Sequence, residues 1–568
     1  MSLSTAHHES TLRIESPTVL ELTIPSSDYE TKGTPVALSP ALLLDRARDA
    51  AEKGRAKEAR GYYEQIISIC QDTLARQPTN WKLHELKACA EYRTGTFKKA
   101  WHSYQRARTD PEIFWPSLLG QIKAGIEIGL WKDLEKLNTA DMPLWVDKEW
   151  LSASTLLTLP IAKHGDDLRK AAVIEARRRA GNCTAEHHPL HQTAGKLRIG
   201  YLSPDFNNHA VAHQIVRVLE CHDRTQFELY GYSTGHNDNS RIGQRIRSCF
   251  STLRIAQGRT AAEIARWIAS DKIDILVDLA GHTTGNRMDV LAHHSAPVQV
   301  SWLGYPCTTG ADYIDYFIVD AIVAPPEHRT HFTEALVTMP DCYLPADNRQ
   351  PVDEVKPARQ SCGLPDAAVI LAAFHPAYKL DPNLFRTWMN ILHRCPNTCL
   401  WLRAQHPELR ANLEDAIRAH GVNPRQVVLD DVILEKPAYL ARLQLADIFL
   451  DTHHFNGHST VSDALWAGVP VISTPGDTFA ARVGASLLNA AGIPECIAPT
   501  LCDYERLVIE LATDRERLRE LSNTLRSQKM SVPLFATEQW TRHLESAYLE
   551  MAAIHKSSMR PRDFAIHA

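Results

Sequence analysis

From residue 196 onward, short apolar segments of strand length alternate with longer helix-like stretches, and they form two separate series. The first series comprises residues 196–205, 227–232 and 273–278. The second comprises residues 369–374, 398–402, 427–429, 448–451 and 470–473. Strands that alternate with helices predict parallel, doubly wound sheets. The sequence therefore predicts an α/β fold with two Rossmann-like domains, divided near residues 345–365, and a ligand cleft at the carboxyl ends of the strands.

A helical region with an internal repeat precedes the two series. Small and aromatic residues recur in it at the spacing of a tetratricopeptide repeat, whose period is about 34 residues. The central copy consists of Gly95, Phe97, Ala100, Tyr104 and Ala107; the copies on either side consist of Gly54, Ala56, Ala59 and Tyr63, and of Gly129, Trp131 and Leu134. Small residues let two helices cross closely, and aromatic residues fill the space between neighbouring pairs. An unrelated helical bundle with chance spacing is the alternative.

These patterns divide the chain into five parts. We predict a flexible tail at residues 1–38, tetratricopeptide-like helical repeats at 39–190, and a first Rossmann-like domain at 191–350. A second Rossmann-like domain is predicted at 351–545, and a C-terminal tail at 546–568. The link between the predicted repeats and the first strand is short. We therefore expect the repeats, which form an arm at residues 39–190, to pack on the first domain.

Composition excludes several classes of function. The formal net charge is −5, so no global basic field is available to hold nucleic acid. No run of apolar residues is long enough to span a membrane, and the N-terminus does not resemble a secretory signal. Twelve cysteines are present without a Cys-x-x-Cys pair, which argues against a zinc site or a disulfide framework. We therefore expect a cytoplasmic protein with no membrane or nucleic-acid partner.

Residues 451–470 contain the strongest candidate for a binding site. A buried strand is predicted to end at Asp451, and His458, Ser459 and Thr460 then open a helix. Free backbone N–H groups, hydroxyls and the positive end of the helix dipole converge there, which suits a diphosphate. Asp463 lies one turn further along the same side, where a carboxylate suits the hydroxyls of a ribose. Ordinary Ser/Thr capping of a helix is the alternative interpretation.

Two more side chains are predicted to face the cleft. Lys379 follows the first strand of the second series, and its ammonium group can neutralise a leaving diphosphate. His209 follows the first strand of the first series and can accept a proton from an attacking hydroxyl or hydrogen-bond the donor. We favour His209 over His213 because it lies nearer the turn. A solvated lysine and helix-capping histidines are the structural alternatives.

Two glycine-containing loops follow apolar strands of the first series. They supply His282, Leu303 and Gly304 as further candidates for the cleft, because glycine permits a close approach of backbone to ligand. No Asp-x-Asp pair is present to hold a metal on a diphosphate. With a helix end and Lys379 available, we expect neither a metal nor any other cofactor.

Taken together, these residues resemble the catalytic region of the O-linked N-acetylglucosamine transferases, family 41 of the glycosyltransferases, in a bacterial form. The resemblance covers roughly residues 195–550. The matching phrases are Asp205-Phe-x-Asn-His209, Trp302-Leu-Gly-Tyr-Pro306, Tyr378-Lys379-x-Asp-Pro382, Gln444-Leu-Ala-Asp447, Asn456-Gly-His-x-Thr460 and Leu465-Trp-Ala-Gly468. The family implies a GT-B type pair of Rossmann-like domains, a UDP-sugar donor, inversion at the anomeric carbon and no metal.

The resemblance also assigns residues position by position. Lys379 resembles the lysine on the donor phosphates, while His458, Ser459 and Thr460 match the phosphate-binding run and Asp463 the ribose carboxylate. His209 resembles the histidine whose role as base is disputed in the family. Leu434 and Lys436 match positions beside the uracil and ribose, Tyr439 a position against the uracil, and Arg442 a further nucleotide contact. Tyr439 stands where relatives have a histidine, and Pro376 where they have a glutamine.

These observations lead to one expected function and several alternatives. We expect transfer of N-acetylglucosamine from UDP-GlcNAc to Ser or Thr hydroxyls of a polypeptide that the helical repeats help to hold. The enzymatic alternatives are a relative that transfers glucose to asparagine, a GDP-fucose enzyme and a sugar-nucleotide epimerase. A repeat scaffold with a degenerate transferase half is a non-enzymatic alternative.

Overall fold

A computed structural model describes residues 39–52, 55–137, 152–159, 164–181, 183, 195–432 and 434–567. The predicted tail at 1–38 and the repeat residue Gly54 lie outside the described residues. None of the helices within the described ranges combines the length and apolar character needed to cross a bilayer.

The described part of the N-terminal region is helical, as predicted. Its helices are α1 (Pro40–Glu52), α2 (Ala56–Leu74), α3 (Trp81–Arg93), α4 (Phe97–Ala107), α5 (Phe114–Glu127), α6 (Trp131–Leu134), α7 (Ala153–Thr158) and α8 (Gly165–Ala180). Consecutive helices from α1 to α5 pack against one another. A Cβ atom on Gly120 would lie 2.4 Å from the ring of Tyr104, and one on Gly125 would lie 2.5 Å from the ring of Trp101. Small residues on α5 thus accommodate the aromatic residues of α4, as a helical repeat requires.

The first α/β domain is built on an eight-stranded parallel sheet with the order β13-β7-β6-β5-β4-β1-β2-β3. Its strands are β1 (Leu197–Ser203), β2 (Phe227–Ser233), β3 (Thr252–Ile255), β4 (Ile275–Asp278), β5 (Val298–Ser301), β6 (Tyr316–Asp320), β7 (Ala335–Met339) and β13 (Phe564–Ala565). The helices between them are α9 (Ala210–Cys221), α10 (Arg241–Arg247), α11 (Ala261–Ser270) and α12 (Met288–Leu291). The central strands are apolar because helices cover both faces of the sheet.

The second α/β domain has a five-stranded parallel sheet with the order β10-β9-β8-β11-β12. Its strands are β8 (Val369–Ala373), β9 (Thr398–Arg403), β10 (Val427–Asp430), β11 (Ile448–Leu450) and β12 (Val471–Ile472). Its helices are α13 (Pro382–Arg394), α14 (Pro407–Ala419), α15 (Lys436–Leu443), α16 (Ser459–Trp466), α17 (Val483–Ala490), α18 (Leu501–Thr513) and α19 (Arg515–Gln528). All eight segments that the sequence predicts as strands coincide with strands of these two sheets.

The C-terminal boundary predicted at residue 545 is wrong. One continuous helix, α20 (Thr537–Lys556), runs through it and packs against α9, β5 and β7 of the first domain. In the interior, Tyr548 hydroxyl lies 3.0 Å from Tyr201 hydroxyl, and Glu545 accepts a hydrogen bond from the Asp223 backbone. Strand β13 then extends the first sheet. The chain therefore returns to the first domain because α20 buries its apolar face there.

The arm packs on the first domain, as predicted, but it also contacts the second domain, which the sequence did not indicate. Carbonyl groups at the ends of α3 and α5 bind the second domain: His406 donates to Gly95 O at 2.8 Å, and Asn412 donates to Ile128 O at 2.6 Å. On the other side, Tyr313 of the first domain donates to Ala176 O of α8 at 3.2 Å. The helical region consequently contacts both α/β domains.

Candidate functional site

A pocket between the two α/β domains brings together two helix N-termini. The first turn of α9 contributes Ala210, His213 and Gln214, and the opposite wall contains Lys436, Ser459 and Asp463. Both helices follow strands of parallel sheets, so their N-termini lie at the carboxyl edge, where α/β folds bind ligands. The structure thus joins His213 of the first domain and three predicted residues of the second in one site.

A buried carboxylate fixes the turn that leads into α16. Asp451 Oδ1 accepts from the Gly457 backbone at 2.6 Å, and Asp451 Oδ2 accepts from Ser473 Oγ at 2.6 Å. Burial raises the pKa of Asp451 to about 7. A Cβ atom on Gly457 would lie 2.3 Å from Thr460 Oγ1, so this tight turn requires glycine. The turn leads directly into α16, whose first backbone N–H groups have no acceptor within the helix and whose Ser459 lines the pocket.

Lys379 lies beside this helix N-terminus. It ends the short 3-10 turn Ala377–Lys379 that follows β8, and its side chain is buried. The ammonium group donates to Asn456 O at 2.7 Å and lies 4.1 Å from the centre of the Phe455 ring. The charge of Lys379 is therefore held next to His458, Ser459 and the other groups of the predicted phosphate site.

Three histidines around the pocket are held in the neutral form. Burial and the charge of Lys379 lower the pKa of His375 to about 3 and that of His458 well below its usual value. Burial and the charge of Lys436 lower the pKa of His213 to about 3. Near neutral pH these imidazoles hydrogen-bond without charge, so the lysines provide the positive charge of the pocket.

The ribose corner of the pocket, which is formed by Lys436 and Asp463, contains an ion pair between these two side chains. Lys436 Nζ lies 2.5 Å from Asp463 Oδ2, and Gln350 also hydrogen-bonds to Asp463. Burial raises the pKa of Asp463, while the neighbouring Lys436 opposes that shift. An anchored carboxylate beside an ammonium group presents both an acceptor and a donor to vicinal hydroxyls.

The remaining predicted nucleotide contacts surround this corner. Tyr439 lies beside Phe374 with ring centres 6.3 Å apart, and Lys436 Nζ lies 5.9 Å from the Tyr439 ring centre. Arg442 pairs with Asp430 and lies over the Trp401 ring, whereas the side chain of Leu434 is exposed. The structure therefore places the Tyr439 ring next to Lys436, where it offers a stacking surface to a planar base.

His209 is the N-cap of α9, and two groups compete for one of its ring nitrogens. Val211 N–H donates to Nδ1 at 3.3 Å, and Asp205 Oδ2 lies 3.5 Å from the same nitrogen. If Nδ1 accepts from Val211, Nε2 carries the proton and donates to a ligand. If Nδ1 donates to Asp205, Nε2 has a free lone pair and acts as a base.

One of the two glycine-containing loops does not place its predicted residue, His282, in the cleft. His282 is buried beneath the cleft, where it donates to Thr309 O at 2.6 Å and lies 4.0 Å from Glu175 of α8. The prediction that His282 faces the cleft is therefore wrong: Thr309 O and the ring of Tyr305, whose centre lies 5.3 Å from that of His282, hold it in the interior. Leu303 is buried at the end of β5 with φ +79°, and Gly304 lies so close to Leu279 O that a Cβ atom would be 2.0 Å away.

Sequence reasoning passed over several residues that the structure places here. His213 was considered less favourable than His209 because it lies further from the turn, yet it lines the pocket. Phe455, Asn456 and Gln350 were not singled out, although each contacts a predicted site residue. Asn456 and Phe455 lie next to the glycine turn in sequence, which is the one indication that was available. Among the described residues, no cluster of three or more His, Cys, Asp or Glu side chains is placed to hold a metal ion.

Comparison with known proteins identifies relatives of both α/β domains and of the arm. The probable UDP-N-acetylglucosamine–peptide N-acetylglucosaminyltransferase SEC of Arabidopsis thaliana is 39% identical over 377 residues, which are 65% of this chain and 38% of that protein. The probable transferase SPINDLY of the same plant is 31% identical over 67% of this chain and 43% of its own length. This chain thus spans about two fifths of the length of these relatives.

A solved structure extends the similarity over almost the whole chain. It is a lysine-to-methionine mutant of the O-GlcNAc transferase from Thermobaculum terrenum, 27% identical, with a TM-score of 0.75. The match covers 92% of this chain and 99% of that one, so the helical arm and the GT-B pair of Rossmann-like domains are shared. The model described as Glycosyl transferase family 41 matches residues 174–358 and 346–544. The chain is accordingly a member of glycosyltransferase family 41.

Proposed function

We propose that this glycosyltransferase transfers N-acetylglucosamine from UDP-GlcNAc to Ser or Thr hydroxyls of polypeptides, with inversion and without a metal. The observation that carries the proposal is the position of Lys379 beside the N-terminus of α16, one helical turn from the Lys436–Asp463 pair. In a nucleoside diphosphate the diphosphate is bonded directly to the ribose, so a site for it needs groups for both at neighbouring positions. The names of the relatives, which specify UDP-N-acetylglucosamine and a peptide, support the choice of donor and acceptor.

In this proposal the acceptor oxygen forms a bond to the anomeric carbon while the bond from that carbon to the β-phosphate oxygen breaks. Negative charge then grows on the phosphate. Lys379 and the N–H groups at Ser459 and Thr460 stabilise this charge from fixed positions. Interactions that strengthen as charge develops lower the barrier rather than only improving binding.

The proton of the acceptor hydroxyl must leave as the new bond forms. His209 caps α9, whose first turn lines the pocket, and Asp205 lies 3.5 Å from its Nδ1. The tautomer that donates to Asp205 presents a lone pair to the acceptor, whereas the other tautomer orients the donor sugar. With either tautomer, His209 acts on the transferred sugar or the acceptor, whereas Lys379, Ser459 and Thr460 act on the diphosphate.

The helical arm supplies the side of the cleft on which a polypeptide is held. It contacts both α/β domains, through Gly95 and Ile128 on one side and Ala176 on the other. A bound polypeptide on the arm is thereby fixed relative to the donor and to His209. Proximity of this kind contributes to rate by removing the entropy cost of the encounter.

Calorimetric titration of the purified chain tests the donor site without an identified acceptor. UDP, GDP, UDP-GlcNAc and UDP-glucose are titrated in the presence of EDTA. We expect UDP and UDP-GlcNAc to bind and GDP to bind far more weakly. A GDP preference would indicate a fucose-type donor, and loss of UDP binding in EDTA would overturn the metal-free site.

A further inference from the structure

Phe455, in the loop between β11 and α16, contacts two groups of the proposed phosphate site at once. Its ring centre lies 4.1 Å from Lys379 Nζ. The same ring stacks on His458 with centres 5.1 Å apart and an interplanar angle of 26°. Tyr378 closes the edge of the ring at 5.8 Å and 80°. Phe455 is buried, so these contacts form away from solvent.

The face of an aromatic ring attracts a cation, and the attraction is stronger where water is excluded. Here the ring holds the Lys379 ammonium from one side while Asn456 O accepts its hydrogen bond. The stacked His458 ring has its orientation fixed by the same surface and by Ala480 O, which lies 3.3 Å from Nε2. One side chain therefore sets the spacing between a fixed charge and an imidazole.

The arm supports this aromatic group from behind. Phe455 belongs to a buried cluster that includes α5 residues Leu118, Leu119 and Ile122, and Tyr378 packs against the same cluster. Helix α5 also packs against the 3-10 turn Ala377–Lys379. The wall behind the lysine is thus formed by the helical arm rather than by the second domain alone.

We propose that Phe455 is a positioning residue for the donor diphosphate, which acts through Lys379 and His458, and that the helical arm holds it in place. This inference rests on the proposed function. It assigns the arm a second task besides holding the acceptor: the arm preorganises the donor site, and preorganisation increases affinity by reducing the ordering cost of binding.

A double-mutant cycle on UDP affinity tests the proposal, since a purely structural role predicts a different pattern. Phe455→Leu should weaken UDP binding by about five- to thirtyfold, the range typical of a desolvated cation–aromatic contact. Phe455→Tyr, which keeps the ring, should restore the affinity. In a Lys379→Met background, Phe455→Leu should cause less than about a third of the loss that it causes in the parent, because contacts that act through one residue are not additive.

Phe385→Leu is the matched control. Phe385 is buried and packs on Trp131 of the arm, with ring centres 4.9 Å apart, but it belongs to α13 and not to the phosphate site. It should lower the melting temperature without changing UDP affinity. Phe455→Met replaces the leucine variant if the latter does not fold.

The outcomes separate the two proposals. Three results would overturn the role of Phe455. Phe455→Leu could lower UDP affinity equally in the parent and in the Lys379→Met background, Phe385→Leu could lower it as much as Phe455→Leu, or Phe455→Leu could leave it within twofold of the parent. A parent chain that does not bind UDP at all would overturn the proposed function and this inference together.

Discussion

At the residue scale, burial decides which groups of the cleft carry charge. His375, His458 and His213 have lowered pKa values because they are desolvated and face lysines. Lys379 and Lys436 are each held by an oxygen, Asn456 O for the first and Asp463 for the second. The pocket therefore combines one anchored cation, Lys379, with one ion pair and neutral donors, an arrangement suited to a ligand that carries both negative oxygens and hydroxyls.

His209→Ala should separate the sugar side of the site from the phosphate side. We expect turnover to fall by about a hundredfold or more, the range typical of a lost proton-transfer group. UDP affinity should stay within about threefold, because the phosphate corner lies on the other domain. Steady-state turnover and calorimetric UDP affinity of the same preparation decide the matter. Equal losses in both would make His209 a nucleotide contact.

The lowered pKa of His375 predicts a specific dependence of the free energy of unfolding on pH. Its folded pKa is about 3, below the unfolded value of about 6.5, so the unfolded chain binds more protons between these values. The free energy of unfolding should therefore fall as the pH decreases below about 6.5, by at most about 1.4 kcal/mol per pH unit from this group.

Urea unfolding of the parent and of His375→Gln between pH 7 and pH 5 measures this dependence. Glutamine cannot be protonated, so the variant should show a shallower slope than the parent. Parallel slopes for the parent and His375→Gln would show that His375 does not titrate as its environment predicts.

At the scale of single elements, the strands and helices that depend on a local pattern of residues can be predicted from the sequence. Buried parallel strands are short apolar runs, so all eight predicted segments are strands, and the helix predicted to open at His458–Thr460 begins at Ser459 with His458 as its N-cap. The burial of His282 was not predictable, because its interior partners Thr309 and Glu175 are remote in sequence. The same holds for the pairing of Lys436 with Asp463.

Gly457→Ala tests the turn that precedes α16. The new Cβ atom would lie 2.3 Å from Thr460 Oγ1 and 2.7 Å from His375 Cε1, so the turn must shift. Overpacking of this kind costs about 1–3 kcal/mol, and we expect UDP affinity to fall by about tenfold. Gly61→Ala is the control, since nothing lies within 4 Å of its Cβ position. Unchanged UDP affinity in Gly457→Ala would remove the helix N-terminus from the phosphate site.

At the scale of the whole molecule, long-range packing joins regions that the sequence presents as separate. Helix α20 and strand β13 return to the first sheet, and the arm contacts both α/β domains. No local pattern predicts these contacts, because they depend on which surfaces meet after folding. The prediction of a terminal tail at 546–568 failed for this reason.

Deleting residues 1–190 tests whether the arm is an integral part of the enzyme. The deletion removes α1 to α8 and exposes the apolar side chains of Tyr305, Cys307 and Phe455, which share a buried cluster with the arm. We expect the fragment to be insoluble, or folded with a markedly lower melting temperature and little turnover. A well-folded fragment that modifies polypeptides as fast as the full chain would contradict the assignment of the arm to both tasks.

The central claim is transfer of N-acetylglucosamine by a site whose fixed charge is Lys379. The most direct test incubates the full chain with UDP-GlcNAc, a library of Ser- and Thr-containing peptides and EDTA, and follows the peptides by mass spectrometry. We predict the addition of one N-acetylhexosamine to a hydroxyl residue, and a rate lower by about a hundred- to a thousandfold in Lys379→Ala, the effect typical of losing one transition-state contact. The absence of any sugar on the peptides, or Lys379→Ala turnover within threefold of the parent, would contradict the account.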